Sequence, residues 1–301
     1  MKTIPMSDVV RDVLLRSIQA CPSPSENVLA LAGQLDRPTY EATNRVLEAF
    51  GGKWSRSKRG HTFPKSVSET FADFVAERGE LIIVDEKRTY DVYETPDLVI
   101  DKALLLYLCR GQTSVATWLE PSAGSGRLAK AMREKFPSAA GTAIEIRHCK
   151  IAGEPDTIIR SDFLRVTPDT DVLGKPVGTF DLIFANPPFS NALDVEHVIH
   201  MLRFAHEKGH PHGPTRLVTI LSPAFLHRDL KSCLALRRWW ERRVRANERD
   251  TRFDILPEGT FKGEGTNVRS ILLGIDVTSD DWAEVDGYLR ESQKAKRRSQ
   301  K

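Results

Sequence analysis

A chain of 301 residues with 40% hydrophobic content has material for one catalytic-size domain and a smaller module. Its net charge of +3 is too small to identify a polyanionic partner by itself. No apolar run approaches the ~20 residues needed to cross a bilayer, and residues 1–8 lack the apolar core of a secretory leader, so the expected location is the cytosol. Cys21, Cys109, Cys149 and Cys233 are scattered without ligand spacing, which predicts neither a disulfide framework nor a zinc site.

Residues 38–50 predict an amphipathic helix with Tyr40, Val46, Leu47 and Phe50 inward, ended by Gly51-Gly52. Residues 53–64 then alternate bases with aromatics. Folded as a hairpin, they could offer Lys53, Arg56 and Lys58 to phosphates on one face and keep a packing face on the other. The competing reading is a hairpin that only buttresses its neighbour. Residues 67–78 predict another helix, capped by Ser66 or Ser68. Residues 1–91 are expected to form a mostly helical module with a hairpin, for nucleic-acid binding or support.

Thr95-Pro96 heads an amphipathic stretch over residues 98–108. Next comes an apolar strand, Glu120, the turn Pro121-Ser122-Ala123-Gly124-Ser125-Gly126 and the start of a helix, which is the first strand–turn–helix unit of a doubly wound sheet. A third glycine at dinucleotide spacing is missing, and Glu120 would repel a pyrophosphate. A cationic ligand fits better. S-adenosyl-L-methionine carries a sulfonium and an α-amino group that Glu120 could face, with Gly124 and Gly126 letting the backbone come close. A second strand over 141–146 ends in Glu145-Ile146, where Glu145 is expected to accept two ribose hydroxyls. A third, over 157–160, leads to Asp162 and Phe163, an acceptor for an adenine amino group beside a ring to cover it. All these positions fall at carboxyl ends of consecutive strands. His148-Cys149 reads as a spare thiol, because nothing supplies a surrounding triad.

The apolar strand 180–185 runs into Asn186-Pro187-Pro188-Phe189. An amine conjugated to a heterocycle is a poor nucleophile because its lone pair is delocalised into the ring. The Asn186 side-chain oxygen and the Pro187 carbonyl can each accept one amine N–H, favouring a pyramidal nitrogen with its lone pair free. The prolines stiffen these acceptors, and Phe189 offers a face for a flipped-out base. Read alone, the tetrapeptide has a competing reading as a proline-rich turn closing a buried strand.

His206, His210 and His212 lie among Gly, Pro and Lys and are read as a solvated loop rather than a metal site. Further strands are predicted over 217–223, 253–257 and 268–275, the last two joined by a loop carrying Phe261, Lys262 and Gly265. The basic run 237–245 predicts a solvated helix face with its tryptophans inward, and 294–298 a frayed basic tail.

Taken together, these motifs over about residues 95–276 resemble the adenine-N6 DNA methyltransferases whose cofactor motif precedes the catalytic one. The Gly-Gly-Lys-Trp module resembles the N-terminal part of phage- and plasmid-borne members. The resemblance implies an α/β fold, a doubly wound and mainly parallel seven-stranded sheet over residues 92–278, followed by a basic helix or tail over 279–301. It implies S-adenosyl-L-methionine as cofactor, held by Thr95, Pro96, Glu120, Pro121, Ser122, Ala123, Gly124, Gly126, Glu145, Ile146, Asp162, Phe163 and Asn186. It implies catalysis by Asn186, Pro187, Pro188 and Phe189, with Phe261 near the target base and DNA as partner. No metal, membrane or covalent intermediate is required. Restriction-associated members usually carry a large target-recognition domain, and here little follows the seventh strand, so sequence-specific recognition and a partner endonuclease stay open. Guanine-N2 methylation of ribosomal RNA and glutamine methylation of protein use a similar tetrapeptide on the same planar N–H₂ geometry. A catalytically silent DNA-binding module is the reading from another class.

Overall fold

The computed structural model describes residues 6–76, 93–104, 115–147, 149–246, 252–264 and 266–299. Cys109, His148, Gly265 and the predicted helical ends at 77–78 and 105–108 lie outside them. The chain divides into two compact units, Met1–Val92 and Tyr93–Lys301.

In the first unit, α1 (Asp8–Gln19) starts where the Ser7 side chain accepts from the Val10 N–H, and α2 (Arg37–Ala49) starts where Asp36 accepts from the Thr39 N–H at 2.7 Å. A three-stranded antiparallel sheet has β3 (Gly60–Thr62) between β1 (Val28–Leu29) and β2 (Lys53–Ser55). A capping box of Ser66 and Glu69 opens α3 (Val67–Thr70), and α4 (Ala72–Ala76) follows. Val10, Leu14, Leu29, Val46, Leu47, Phe63, Phe71 and Phe74 form the core. Tyr40 departs from its expected inward position: it is exposed on the first turn of α2, and the helix's buried stripe begins one turn later at Thr43. Trp54, on the edge strand β2, is also exposed; its ring meets His61 edge-on across the strand pair.

In the second unit, seven strands lie in the spatial order β11 (Arg252–Ile255), β12 (Ile271–Val277), β10 (Thr215–Leu221), β9 (Leu182–Ala185), β4 (Thr117–Pro121), β5 (Ala140–Ile144), β6 (Thr157–Ile159). The run from β10 to β6 is parallel, and β12 is antiparallel to both its neighbours. Along β9, Ile183 and Ala185 join one core while Leu182 and Phe184 join the other, the two-residue alternation of a strand covered on both faces. One face carries α7 (Leu193–Met201), α8 (Lys231–Arg245) and α9 (Ser279–Ser299); the other carries α5 (Asp97–Ala103) and α6 (Arg127–Lys135). This is the doubly wound, mainly parallel seven-stranded α/β sheet expected from sequence. A small hairpin of β7 (Asp171–Val172) and β8 (Lys175–Pro176) was not expected.

Helix α9 covers the stretch expected as a basic helix or tail. Val285 is in the core, with Trp282, Tyr288 and Leu289 packed against it, and the helix continues through residues 294–298. It also accounts for the basic run on α8. Arg238 pairs with Glu291, Arg242 with Glu284, and Arg243 with Asp281 at 2.9 Å, while the buried Trp239 donates to Asp281. Trp240 is half-buried against Phe253. No helix among the described residues is long and apolar enough to cross a membrane.

Candidate active site

After β6 the chain returns to the other side of β4 and lays down β9, so the strand order reverses between these two strands. Open α/β sheets bind ligands at the carboxyl ends beside such a reversal. The Gly turn follows β4 there and Asn186 follows β9.

Ser122, Gly124 and Gly126 take φ of +66°, +59° and +82°. The Ala123 N–H donates to the Ile144 carbonyl, and the Gly126 N–H to the Ala123 carbonyl. The two glycines have different reasons to be glycine. A Cβ at Gly126 would stand 2.5 Å from both the backbone N and O of Ala152, whereas one at Gly124 would meet only the Arg147 guanidinium, at 3.7 Å. Gly126 therefore serves the chain's own packing, contrary to the role expected for it, and only Gly124 leaves its face open to a ligand.

Helix α6 has no side-chain cap of its own. Its Ala129 N–H donates instead to Glu120 Oε2 at 2.7 Å. Glu120 is 2% exposed. Burial pushes its carboxyl well above the usual carboxylate range, and the nearby charges of Glu94 and Glu145 add to the rise, partly opposed by the helix N–H groups. Glu94 accepts from the Ser125 hydroxyl at 2.7 Å. Three carboxylates thus surround the turn, and a cation placed among them would favour the ionised form of Glu120.

Glu145 sits one residue past β5, buried. Its Oε2 accepts from the Gly124 N–H at 2.6 Å, and its Oε1 from both N–H and Nε–H of Arg147, at 2.9 and 3.0 Å. Three of about four acceptor sites on the carboxylate are thereby used, so a two-hydroxyl ribose contact requires Arg147 to yield. Ile146 beside it is exposed, and Cys149 Sγ donates to the Gly124 carbonyl. Asp162 accepts from the Leu164 N–H at the start of a single 3-10 turn, Phe163–Arg165. Phe163 does not stand where a ligand ring could lie. It is 2% exposed, inside the core, stacked on Phe204 and met edge-on by His200.

The Ser122 Oγ lies 3.1 Å from Nδ1 of His197 on α7. Burial lowers the His197 pKa from an ordinary 6.5 to about 4, only partly offset by Asp162. Between those values the unfolded chain binds a proton that the folded chain refuses, so stability falls as pH drops from 6.5 towards 4, by up to about 3 kcal/mol from this group. Urea titrations across that window should show the loss, and His197→Gln should flatten it. An unchanged acid slope in the variant would mean that His197 is accessible to protons in the folded state.

Asn186 donates from Nδ2 to the Tyr93 carbonyl at 2.9 Å. A carbonyl can only accept, so this bond fixes which end of the amide carries the oxygen. The Asn186 Oδ1 is buried and finds no hydrogen-bond partner among the described residues. Pro187 is buried and Pro188 half-buried. Phe189 is 8% exposed, stacked at 26° against Tyr93 and met edge-on by Phe261, with centroids 6.4 and 6.0 Å away. Asn191 and Ala192 then take left-handed φ of +56° and +61° before α7 begins. Thr95 is buried, and the Pro96 carbonyl accepts from Val99 and Ile100 at the start of α5. Lys53, Arg56 and Lys58 belong to the first unit and are exposed around the β2–β3 hairpin.

Tyr93, Glu94, Arg147 and His197 were missed by sequence reasoning. Tyr93 and Glu94 immediately precede Thr95-Pro96, and that proximity was the one available signal.

No protein-family model matches the chain, and no curated protein does. Among solved structures, it is similar to the plantazolicin methyltransferase BpumL in complex with a triazolic desmethylPZN analog and SAH. That match has 12% identity over 61% of this chain and 86% of that one, with a TM-score of 0.37. A dimethyladenosine transferase from Plasmodium falciparum matches at 14% over 64% and 65%, TM-score 0.36. A candidate hemolysin from Streptococcus thermophilus matches at 12% over 86% and 93%, TM-score 0.40. Scores of this size are too low to carry a function or a residue role to this chain. Its own topology defines an α/β domain whose strand order reverses between β4 and β9.

Proposed function

We propose that this chain is an S-adenosyl-L-methionine-dependent methyltransferase acting on a planar amino group, with the N6 of adenine in DNA as its substrate. The observation that carries the reading is the buried, unpartnered Asn186 Oδ1. Burying a polar atom without a partner costs free energy, and a substrate N–H would relieve that cost at the strand end where ligands bind.

Bound beside the Gly turn, the cofactor would supply a methyl group already activated on a sulfonium. The carboxylates of Glu94, Glu120 and Glu145 favour that cation, and the open face of Gly124 gives it room. Asn186 Oδ1 and the Pro187 carbonyl would each accept one N–H of the amine, localising its lone pair for in-line attack. Phe189, between Tyr93 and Phe261, is an aromatic surface for the base once Tyr93 gives way. Phe163 buttresses the sheet beneath Asp162 in this reading.

The test is transfer of tritiated methyl from the cofactor to DNA, RNA and protein in parallel, followed by identification of the modified nucleoside or residue. Label in N6-methyladenine of DNA is expected. Label only in guanine-N2 of RNA or in glutamine would redirect the substrate assignment, and no label in any polymer would reject the enzyme reading.

The hairpin of the first unit supports nucleic acid over protein. Lys53, Arg56, Lys58 and Arg59 are all exposed, and Trp54 is 54% exposed beside them. Replacing the four bases with Ser should leave folding and cofactor affinity unchanged. The slope of log affinity against log salt should become shallower by about 0.9 per lost phosphate contact on duplex DNA. An unchanged slope in the folded variant would leave the module a buttress. The basic run on α8 is a weaker substitute surface, because three of its five arginines, Arg238, Arg242 and Arg243, are engaged by carboxylates of α9.

A further inference from the structure

At the amino ends of the same strands, remote along β4 and β9 from the site above, four side chains converge. Asp181, just before β9, is buried; its Oδ2 accepts from the N–H groups of Ala116 and Thr117 at 2.7 and 2.9 Å, which fixes the carboxylate's direction. Its Oδ1 lies 2.9 Å from Nε2 of His206 and 2.9 Å from Nδ1 of His212. His206 is 3% exposed, so the expected solvated loop holds for His212 but not for His206, which the Thr179 hydroxyl also meets at Nδ1, 2.8 Å away. His210 stacks on His206 with centroids 3.8 Å apart. One nitrogen from each of the three imidazoles lies within 4.8 Å of the others.

We infer that Asp181, His206, His210 and His212 form a structural site for a divalent transition metal of the zinc class. Imidazole and carboxylate suit such ions, and four protein ligands make a closed, structural site. With metal–ligand bonds of about 2.0–2.2 Å, neighbouring ligand atoms of a tetrahedral site stand about 3.3 Å apart. The two Asp181 contacts are close to that spacing already. The ring of His210 must leave its stack on His206, and its Nδ1 the His212 N–H from which it accepts at 3.3 Å, to swing in. The backbone donors on Asp181 Oδ2 are the outer-shell support that orients a ligating carboxylate, and the half-exposed ring of His212 leaves a path for the ion. Binding would tie residues 206–212 to the starts of β4 and β9, away from the chemistry, so the inference stands whether or not the chain transfers methyl groups.

The probe is Zn²⁺ itself, titrated into the tag-free full-length chain in competition with a chromophoric chelator, with Co²⁺ as spectroscopic reporter. One Zn²⁺ per chain is expected, together with a visible Co²⁺ spectrum of four-coordinate type and a thermal midpoint that Zn²⁺ raises. His210→Ala and His212→Ala should each weaken Zn²⁺ binding by at least about tenfold, the lower end of what losing even an outer-shell partner costs. His227→Ala, which removes an exposed histidine elsewhere, should not. The wild-type Co²⁺ spectrum needs no variant, and circular dichroism in chelator checks that each variant folds. Absence of stoichiometric binding, a six-coordinate Co²⁺ spectrum, or equal affinity in all three variants would overturn the site.

Discussion

Asn186→Ala is expected to lower methyl transfer by about 10²- to 10³-fold, or about 2.7–4 kcal/mol of barrier, the usual cost of losing one preorganised polar contact to a reacting group. Cofactor affinity should stay close to that of the unaltered chain, because Glu145 is held by the Gly124 N–H and Glu120 by the Ala129 N–H, and neither bond involves Asn186. The change also removes the bond from Nδ2 to the Tyr93 carbonyl, so a modest loss of thermal stability should accompany it. Asn186→Asp separates the two effects. It keeps an oxygen near the amine yet sets a carboxylate against the Tyr93 carbonyl, and should be nearly as inactive as the alanine variant. Single-turnover rates and calorimetry of cofactor binding supply the readouts. Turnover near that of the unaltered chain, or loss of cofactor binding with turnover, would sink the assignment of Asn186 to the reacting amine.

The second large effect separates two glycines that look alike in sequence. Gly126→Ala should destabilise the second unit by about 3 kcal/mol, combining a left-handed φ that costs a non-glycine residue roughly 1–2 kcal/mol with overpacking of typically 1–3 kcal/mol. The clash is with the backbone of Ala152, which cannot step aside as a flexible side-chain end could. Gly124→Ala carries the φ cost alone, about 1 kcal/mol, since its Cβ would meet only the movable Arg147 guanidinium. That Cβ would nevertheless project into the face left open for a ligand. Urea unfolding and calorimetry should therefore show Gly126→Ala losing mainly stability and Gly124→Ala losing mainly cofactor affinity. The reverse pattern would mean that the ligand approaches by way of Gly126.

The two proposals touch opposite ends of the sheet, which makes their tests independent. A chain that binds Zn²⁺ and transfers no methyl group would keep the metal site and lose the enzyme reading. The opposite result would do the converse.

Much of the second unit was legible in the sequence because it is encoded locally. Apolar runs of strand length, broken by Gly turns and carboxylates at their ends, announced the parallel sheet, and all seven strands were found with ends displaced by at most three residues. Asn186 to Phe189 could be singled out for the same reason, since the demand for a stiff pair of acceptors is written in four consecutive residues. Burial of particular side chains was less legible. Phe163 and Tyr40 are aromatics in favourable local settings, yet one is sealed in the core and the other left in solvent. What lies over each depends on elements far along the chain.

By itself, then, the sequence determined the order of the seven strands in the second unit, the Asn-Pro-Pro-Phe tetrapeptide at one strand end, and the acidic residue beside the Gly turn at another, because each is a property of neighbours in the chain. Tertiary structure alone decided which of these groups are free to act. Asn186 Oδ1 is left without a partner because a carbonyl 93 residues away takes the other end of the amide. Glu120 is held in a site that opposes its charge because β4 buries it, and the Ala129 N–H of α6 offsets that burial only in part. His206 leaves a polar loop for the protein interior because Asp181, 25 residues earlier, waits there with a fixed carboxylate. Hydrogen bonds and burial are settled by distance in space, and chain closure over such separations leaves no periodicity in the sequence from which they could be read.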